Sequence, residues 1–299
     1  MKKMGKFLCM LLAVALVFAL CACGSSGSTG STSSTGSSAA EQNELDKIKA
    51  AGVLTVAMSP DFSPMEFVDS SKEGQEQYVG FDVFLANYVA DYLGVKLDIQ
   101  AMSFDACQTA VSMGSVDMSI SGYSWTETRA ENYELSIPYK ANDNEDNQVL
   151  LIRAADADKY TSAEDFNGVQ VGAQNASLQM QFLTEQLPDA IPYTIGEIGV
   201  GVLELQSGNI EALAVAIGNG KQIIANNPDL MICDWEFEVA SEYTDNVIMM
   251  HKGHTALLAA VNEALAAADE AGYYPDWYAQ ALDIAASESA IEVSIEDEA

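Results

Sequence analysis

The stretch SGYSWTETR, residues 121–129, ends on one of only two arginines in a chain of 299 residues whose formal net charge is −31. A planar guanidinium makes two parallel charge-assisted hydrogen bonds to a carboxylate, a geometry that lysine does not copy. Arg129 is therefore either a surface charge or the holder of something negative. Residues 116–122 read as a strand, and a helix opens near Thr126, with Ser124 and Glu127 spaced as a capping box. Arg129 then falls in a first helical turn, where the helix dipole disfavours a positive charge. An idle arginine is unfavourable there. Backbone N–H groups and a guanidinium at one point make an anion site.

The elements that must position this arginine follow a βαβα rhythm from about residue 47. VLTVAMS (53–59), VKLDIQAM and VDMSISG read as strands, separated by helical VFLANYVADYLG (83–94), stopped by Gly94, and DACQTAVSMG, stopped by Gly114. The pattern restarts after about residue 146. Strands NQVLLI, VQVGAQ, IEALAVAI and LMICDWEF alternate with helical SLQMQFLTEQL, GVLELQSG and GNGKQIIANN. Near-continuous apolar strands between helices predict α/β architecture, with parallel sheets covered by helices. Ligands of such sheets sit beyond the C-terminal strand ends, which is where Arg129 lies.

The chain opens with Lys2, Lys3 and Lys6, followed by an uncharged apolar run from Phe7 to Ala22. That run is shorter than the about 20 residues of a membrane span and reads as an export signal. It ends in LCAC, which resembles a bacterial lipobox and implies cleavage before Cys23 with a lipid on that cysteine; Gly, Ser, Thr and Ala fill residues 24–40. This flexible tether has a root-mean-square span of about 20–25 Å. The expected divisions are a signal at 1–22 and an attachment cysteine with linker at 23–42. A globular body follows, then an acidic tail at 286–299, taken as solvated and disordered. Without the signal, 10 Lys and Arg face 44 Asp and Glu. Such a surface argues against nucleic acid and against lying flat on anionic lipid. Cys107 and Cys233 fall in different parts of the body, so no disulfide between them is expected. His251 and His254 read as a surface turn, with no metal and no cofactor expected.

Five stretches, MSPDFSPMEF (58–67), YVGFDVFLANYVADYLG (78–94), GSVDMSISGYSWTETRAENYELSIPY (114–139), FNGVQVGAQNASLQ (166–179) and LQSGNIEAL (205–213), occur in an order that resembles the bacterial extracellular solute-binding proteins, family 3, of amino acid ABC importers. The resemblance implies a two-lobed clamshell, each lobe a mostly parallel sheet flanked by helices, joined by two crossing hinge segments near 139–146 and 240–247. Lobe 1 would take 43–140 and 245–285, and lobe 2 would take 141–244. It implies that Arg129 grips a ligand α-carboxylate, that Ser121 and Gly122 line the pocket by their backbone, and that the Ser124 hydroxyl meets the polar end of the ligand. Ala176 and Ser177 would meet the same carboxylate from lobe 2. Phe62 would stack on the ligand side chain, facing Phe104. Trp125 is taken as packing. The implied partners are a small carboxylate ligand, most simply an amino acid, a membrane permease, and the membrane itself through the lipid. The protein is expected as a monomer at the extracellular face.

The match departs from the family at three places. Ser59 stands where members that bind basic amino acids often carry an acid, which argues against lysine, arginine or ornithine. Ala216 stands where the family carries the aspartate that receives the α-ammonium, and no carboxylate lies in 214–220. Burying an ammonium without an anion costs several kcal/mol. Either an acid elsewhere such as Asp234 substitutes, or backbone carbonyls and Ser124 suffice, or the ligand is an organic acid without an α-amino group. Phe84 replaces an acid in GFDVF, read as a local packing change. Capture without catalysis is the leading reading. A dehydratase on the same fold would need a general acid or base in the cleft, whereas Glu66, Asp82 and Asp117 read as scaffold acids. A sensor or adhesin would need a further partner.

Overall fold

The computed structural model describes residues 43–142, 144 and 146–296. The expected signal, Cys23 and the linker to residue 42 lie outside them. Helix α1 (Glu44–Ala51) leads into β1 (Val53–Met58), and a small antiparallel sheet follows, β2 (Asp61–Phe62), β3 (Glu66–Val68) and β4 (Tyr78–Val79). Then come α2 (Phe81–Leu93), β5 (Lys96–Ala101), α3 (Phe104–Ser112), β6 (Met118–Ser119), α4 (Glu127–Asn132) and β7 (Tyr133–Leu135). The chain crosses to β8 (Gln148–Arg153), β9 (Gln170–Gln174), α5 (Leu178–Gln186), β10 (Ile191–Ile195), α6 (Ile198–Ser207), β11 (Ala212–Ala216), α7 (Ile217–Asn226) and β12 (Leu230–Glu236). It returns to β13 (Met249–His251), α8 (Thr255–Glu270) and α9 (Tyr273–Glu296).

Two mixed sheets result, ordered β5-β1-β6-β13-β7 and β10-β9-β11-β8-β12. In the first, β5, β1, β6 and β7 run one way and β13 alone is reversed. In the second, β8 alone is reversed. The odd strand has the same cause in both. β8 and β13 each enter straight from a crossing segment and run away from the junction between the lobes, whereas the others run toward it. Asn246 pairs with Tyr139, which ties the two crossing segments together, and with Ser124 in the loop before α4.

Each sheet is covered on both faces, as the unbroken apolar strands require. Every residue of β11, ALAVA, is buried. In the first lobe α2, α8 and α9 close one core around Leu54, Val56, Phe81 and Met118, and α3 covers the other face through Cys107 and Val111. In the second, Leu150, Phe166 and Phe182 fill one core and Val149, Leu205 and Leu213 the other. Cys107 and Cys233 are both buried free thiols, one in each lobe. Phe84 is half-buried against the α2 core. Where a structureless tail was expected from 286, α9 stays helical through Glu296. The segment 284–296 has no Gly or Pro to end a helix and several good helix formers.

Candidate functional site

The C-terminal ends of β1, β6, β9 and β11 meet between the lobes around a cavity of about 30 Å³. Ser59, Phe62, Phe104, Gly122, Ser177 and Ala216, all singled out in the sequence, line it. Its volume holds about two water molecules, against the 300 Å³ or more of an ordinary small-molecule site. The cleft is shut. Phe62 explains part of this, because its ring packs against the cores of both lobes. It lies directly on the backbone of Gly122, where a Cβ would come within 2.6 Å of the ring.

Arg129 sits beside the cavity and is 5 % exposed. The N-cap of α4 is Thr126, whose hydroxyl accepts the Arg129 N–H at 3.2 Å, in place of the expected Ser124 capping box. The backbone of Ser124 instead pairs with Asn246, holding it out of a cap position. The guanidinium lies over the rings of Tyr123 and Phe104, with centroid distances of 5.2 and 5.8 Å. Its Nη1 donates to the Ser124 carbonyl at 2.7 Å and its Nη2 to the Ala176 carbonyl of the other lobe at 3.1 Å. Ala176 holds a left-handed backbone, φ 59°, which is unfavourable for a residue with a Cβ. Ser177 follows as N-cap of α5 and accepts the Met180 N–H at 3.0 Å.

Ser121 lies beneath the cavity, fully buried. Its hydroxyl accepts the Ser59 N–H at 3.0 Å and donates to Glu66 Oε1 at 2.5 Å. Asp82 accepts the Gly122 N–H at 2.8 Å on one oxygen and the Tyr139 hydroxyl at 2.8 Å on the other. Glu66 and Asp82 are fully buried side by side, and Glu66 Oε2 has no hydrogen-bond partner. Burial raises the pKa of both, Asp82 to about 7 and Glu66 well above its usual range, with the neighbouring carboxyl adding to the rise at Glu66. Asp117 is a scaffold acid, accepting from the Thr55 N–H at 2.7 Å and hydroxyl at 2.6 Å.

Asp61 was missed in the sequence. It is the only charged residue lining the cavity. Oδ1 accepts the Ser59 hydroxyl at 2.9 Å, which places an acid at the spot where Ser59 had suggested none. The ground for excluding basic ligands falls away with that contact. Oδ2 crosses the cleft and accepts the Ile198 N–H at 2.6 Å, in the first turn of α6, with the Gln174 amide at 3.5 Å. Burial is the first cause of a raised Asp61 pKa, offset in part by these donors. One acid among 44 gave no signal, and Ile198 is 137 positions away. Its place next to Phe62 in PDFSP was the clue available. Ala216 is the N-cap of α7 and brings no polar side chain. Asp234, suggested as a substitute acid, is exposed on β12 and does not line the cavity. Trp125, taken as packing, is 38 % exposed.

Further hydrogen bonds cross the cleft. Asn219 Nδ2 donates to the Ser63 carbonyl at 3.0 Å, Asn175 Nδ2 to Asp105 Oδ2 at 3.0 Å, and Gln108 Nε2 to the Ala176 carbonyl at 3.3 Å. His251 ends β13 and His254 precedes α8, with ring centroids 4.9 Å apart and ring planes tilted by 38°. Among the described residues no group of three or more His, Cys, Asp or Glu is placed to hold a metal.

Residues 54–283 match the profile of the bacterial extracellular solute-binding proteins, family 3. An amino acid ABC transporter substrate-binding protein, AbpA, from Streptococcus pneumoniae Canada MDR_19A, solved bound to L-arginine, superposes with a TM-score of 0.73 at 31 % identity, over 80 % of this chain and 98 % of that one. The arginine-binding extracellular protein ArtP of Bacillus subtilis is 32 % identical over 62 % of each chain. A probable histidine-binding protein of Campylobacter jejuni is 25 % identical over 64 % of this chain and 70 % of its own. These relatives are binding proteins, and the two-lobed fold is theirs.

Proposed function

Because the chain belongs to the bacterial extracellular solute-binding proteins, family 3, we propose that it captures an amino acid between its lobes and hands it to the permease of an ABC importer, making and breaking no covalent bond. In this reading residues 1–22 are removed, a lipid on Cys23 anchors the protein at the extracellular face, and the linker lets a monomeric body reach the permease. The observation that carries the reading is the convergence of both lobes on one shut cavity, with Arg129 bridging them through the Ser124 and Ala176 carbonyls.

Two of the contacts of the buried guanidinium are thus to neutral carbonyls, one from each side of the cleft. When the lobes part, the Ala176 carbonyl leaves and a ligand carboxylate takes its place, exchanging a neutral acceptor for a charged one that the planar fork can bind with two parallel hydrogen bonds. Ser121 and Gly122 present the backbone floor, and Ser124 and Ser177 flank the carboxylate. Phe62 and Phe104 close on the ligand side chain from either side. Ser59 and Ala216 complete the wall. Opening is required, because no amino acid fits the shut cavity.

The test is a thermal-shift panel on the purified protein in which each natural amino acid is paired with its deaminated analogue. A ligand at 100 times its Kd stabilises by about 2.7 kcal/mol. Amino acids are expected to raise Tm in the wild type and to lose that effect in Arg129→Ala. A shift given only by the analogues would make the ligand an organic acid. A shift that survives intact in Arg129→Ala would remove the assigned carboxylate site.

A further inference from the structure

The shut cavity has one charged lining residue, and it is an acid. Asp61 is half-buried and hydrogen-bonded only by neutral donors, the Ser59 hydroxyl, the Ile198 N–H and the Gln174 amide. A carboxylate is an acceptor at about four lone-pair positions, so three donors leave it room for another. The cation next to the cavity, Arg129, is turned to the carbonyls of Ser124 and Ala176 and stacked on Tyr123 and Phe104. The two charges thus have separate partners, and a ligand bearing both signs matches both. The wall contributed by β11 and the start of α7 offers Ala214, Val215 and Ala216 and no anion.

We propose that Asp61 is the specificity-determining residue of the cleft, receiving a cationic nitrogen of the ligand while it caps α6 across the lobes. This rests on the reading of the chain as an amino acid receptor. The carboxylate is anchored to lobe 1 through Ser59 and to lobe 2 through Ile198, so a cation placed there is held by both lobes at once and rewards closure. An anion partly withdrawn from water with only neutral partners carries a desolvation cost, and a ligand cation offsets it. The Phe62 ring, next in sequence and packed on both lobes, supplies a π face beside the same carboxylate.

The nitrogen has two sources, the α-ammonium or a side-chain cation, and three probes separate them. L-arginine carries both, L-glutamine only the α-ammonium, and 4-guanidinobutyrate only the guanidinium. Affinities are measured by calorimetry on the wild type and on Asp61→Asn, which keeps an oxygen acceptor for the Ile198 N–H and removes the charge. If the side-chain cation sits on Asp61, arginine and 4-guanidinobutyrate weaken by about 10–100-fold and glutamine stays within twofold. If the α-ammonium sits there, arginine and glutamine weaken and 4-guanidinobutyrate does not. Either pattern supports the proposal. An equal loss for every ligand alongside a lowered Tm marks a purely structural role and overturns it. So does a variant that binds every wild-type ligand within twofold while the wild type binds amino acids normally. A wild type that binds none of these probes and none of the natural amino acids removes the receptor reading as well.

Discussion

At the scale of single residues, the site carries strain at one named position. Ala176 adopts φ 59° in the turn between β9 and α5, with its carbonyl shared by Arg129 and Gln108. The left-handed conformation costs a residue with a Cβ about 1–2 kcal/mol, part of which glycine gives back through the entropy of its unfolded chain. Ala176→Gly is therefore expected to stabilise the protein by about 1 kcal/mol, or about 2–4 °C in Tm for a body of this size. Chemical denaturation with an unchanged m-value is the check. A lower midpoint would show that the turn is not strained in solution. Residue-level chemistry was only half legible in the sequence. Arg129 announced itself by rarity, and Phe62 and Gly122 by their motifs. Asp61 did not, because an acid that crosses a cleft to a backbone N–H 137 positions away has no local pattern.

Among the elements, the strands and helices of both lobes were readable because each is a nearly continuous apolar run or a helical period that a single core demands. The strand β11 and the helix α2, which ends at Gly94 in a left-handed cap, follow that rule. The small sheet β2-β3-β4 was not foreseen, since strands of two or three residues leave no period to read. The cap of α4 was misplaced to Ser124 because the crossing segment at Asn246 claims that backbone, a contact beyond any local window. The loop between β6 and α4 is where element geometry meets the ligand wall. Gly122 has φ 56°, and a Cβ there would come within 2.6 and 2.9 Å of two Phe62 ring atoms. Gly122→Ala must therefore displace the ring as well as adopt the left-handed backbone. We expect ligand affinity to fall more than tenfold, with a loss of stability of about 1–2 kcal/mol. Lower stability with unaltered affinity would mean that the Phe62 ring is not part of the ligand wall.

On the scale of the whole molecule, the floor of the cleft is joined to the crossing segments by a buried acid pair. Glu66 holds Ser121, Asp82 holds Gly122 and Tyr139, and Tyr139 pairs with Asn246 where the chain passes between lobes. Two fully buried carboxyls in contact repel when both ionise, so the pair retains a proton that water would remove. Asp82 is raised to about 7 in the folded protein from an ordinary 3.8. Between those values the folded state binds more protons than the unfolded chain, and stability must fall as pH rises through that window. The slope is about 1.4 kcal/mol for each pH unit per extra proton held. Carboxylates held below their usual range, such as Glu44, Asp105 and Glu211, act in the opposite sense, and only at more acid pH. Relief of the net charge of −31 acts in the same sense as the pair, so wild-type data alone do not isolate it. Asp82→Asn does, because an amide holds no exchangeable charge and still offers Glu66 a donor. Denaturation at pH 5 and pH 8 is expected to find the wild type more stable at pH 5, and the variant with a clearly smaller difference between the two. Identical pH slopes in both proteins would show that Asp82 takes up no extra proton on folding, leaving any retained proton to Glu66. The floor would then carry the Asp82 charge under the very loop that receives the ligand.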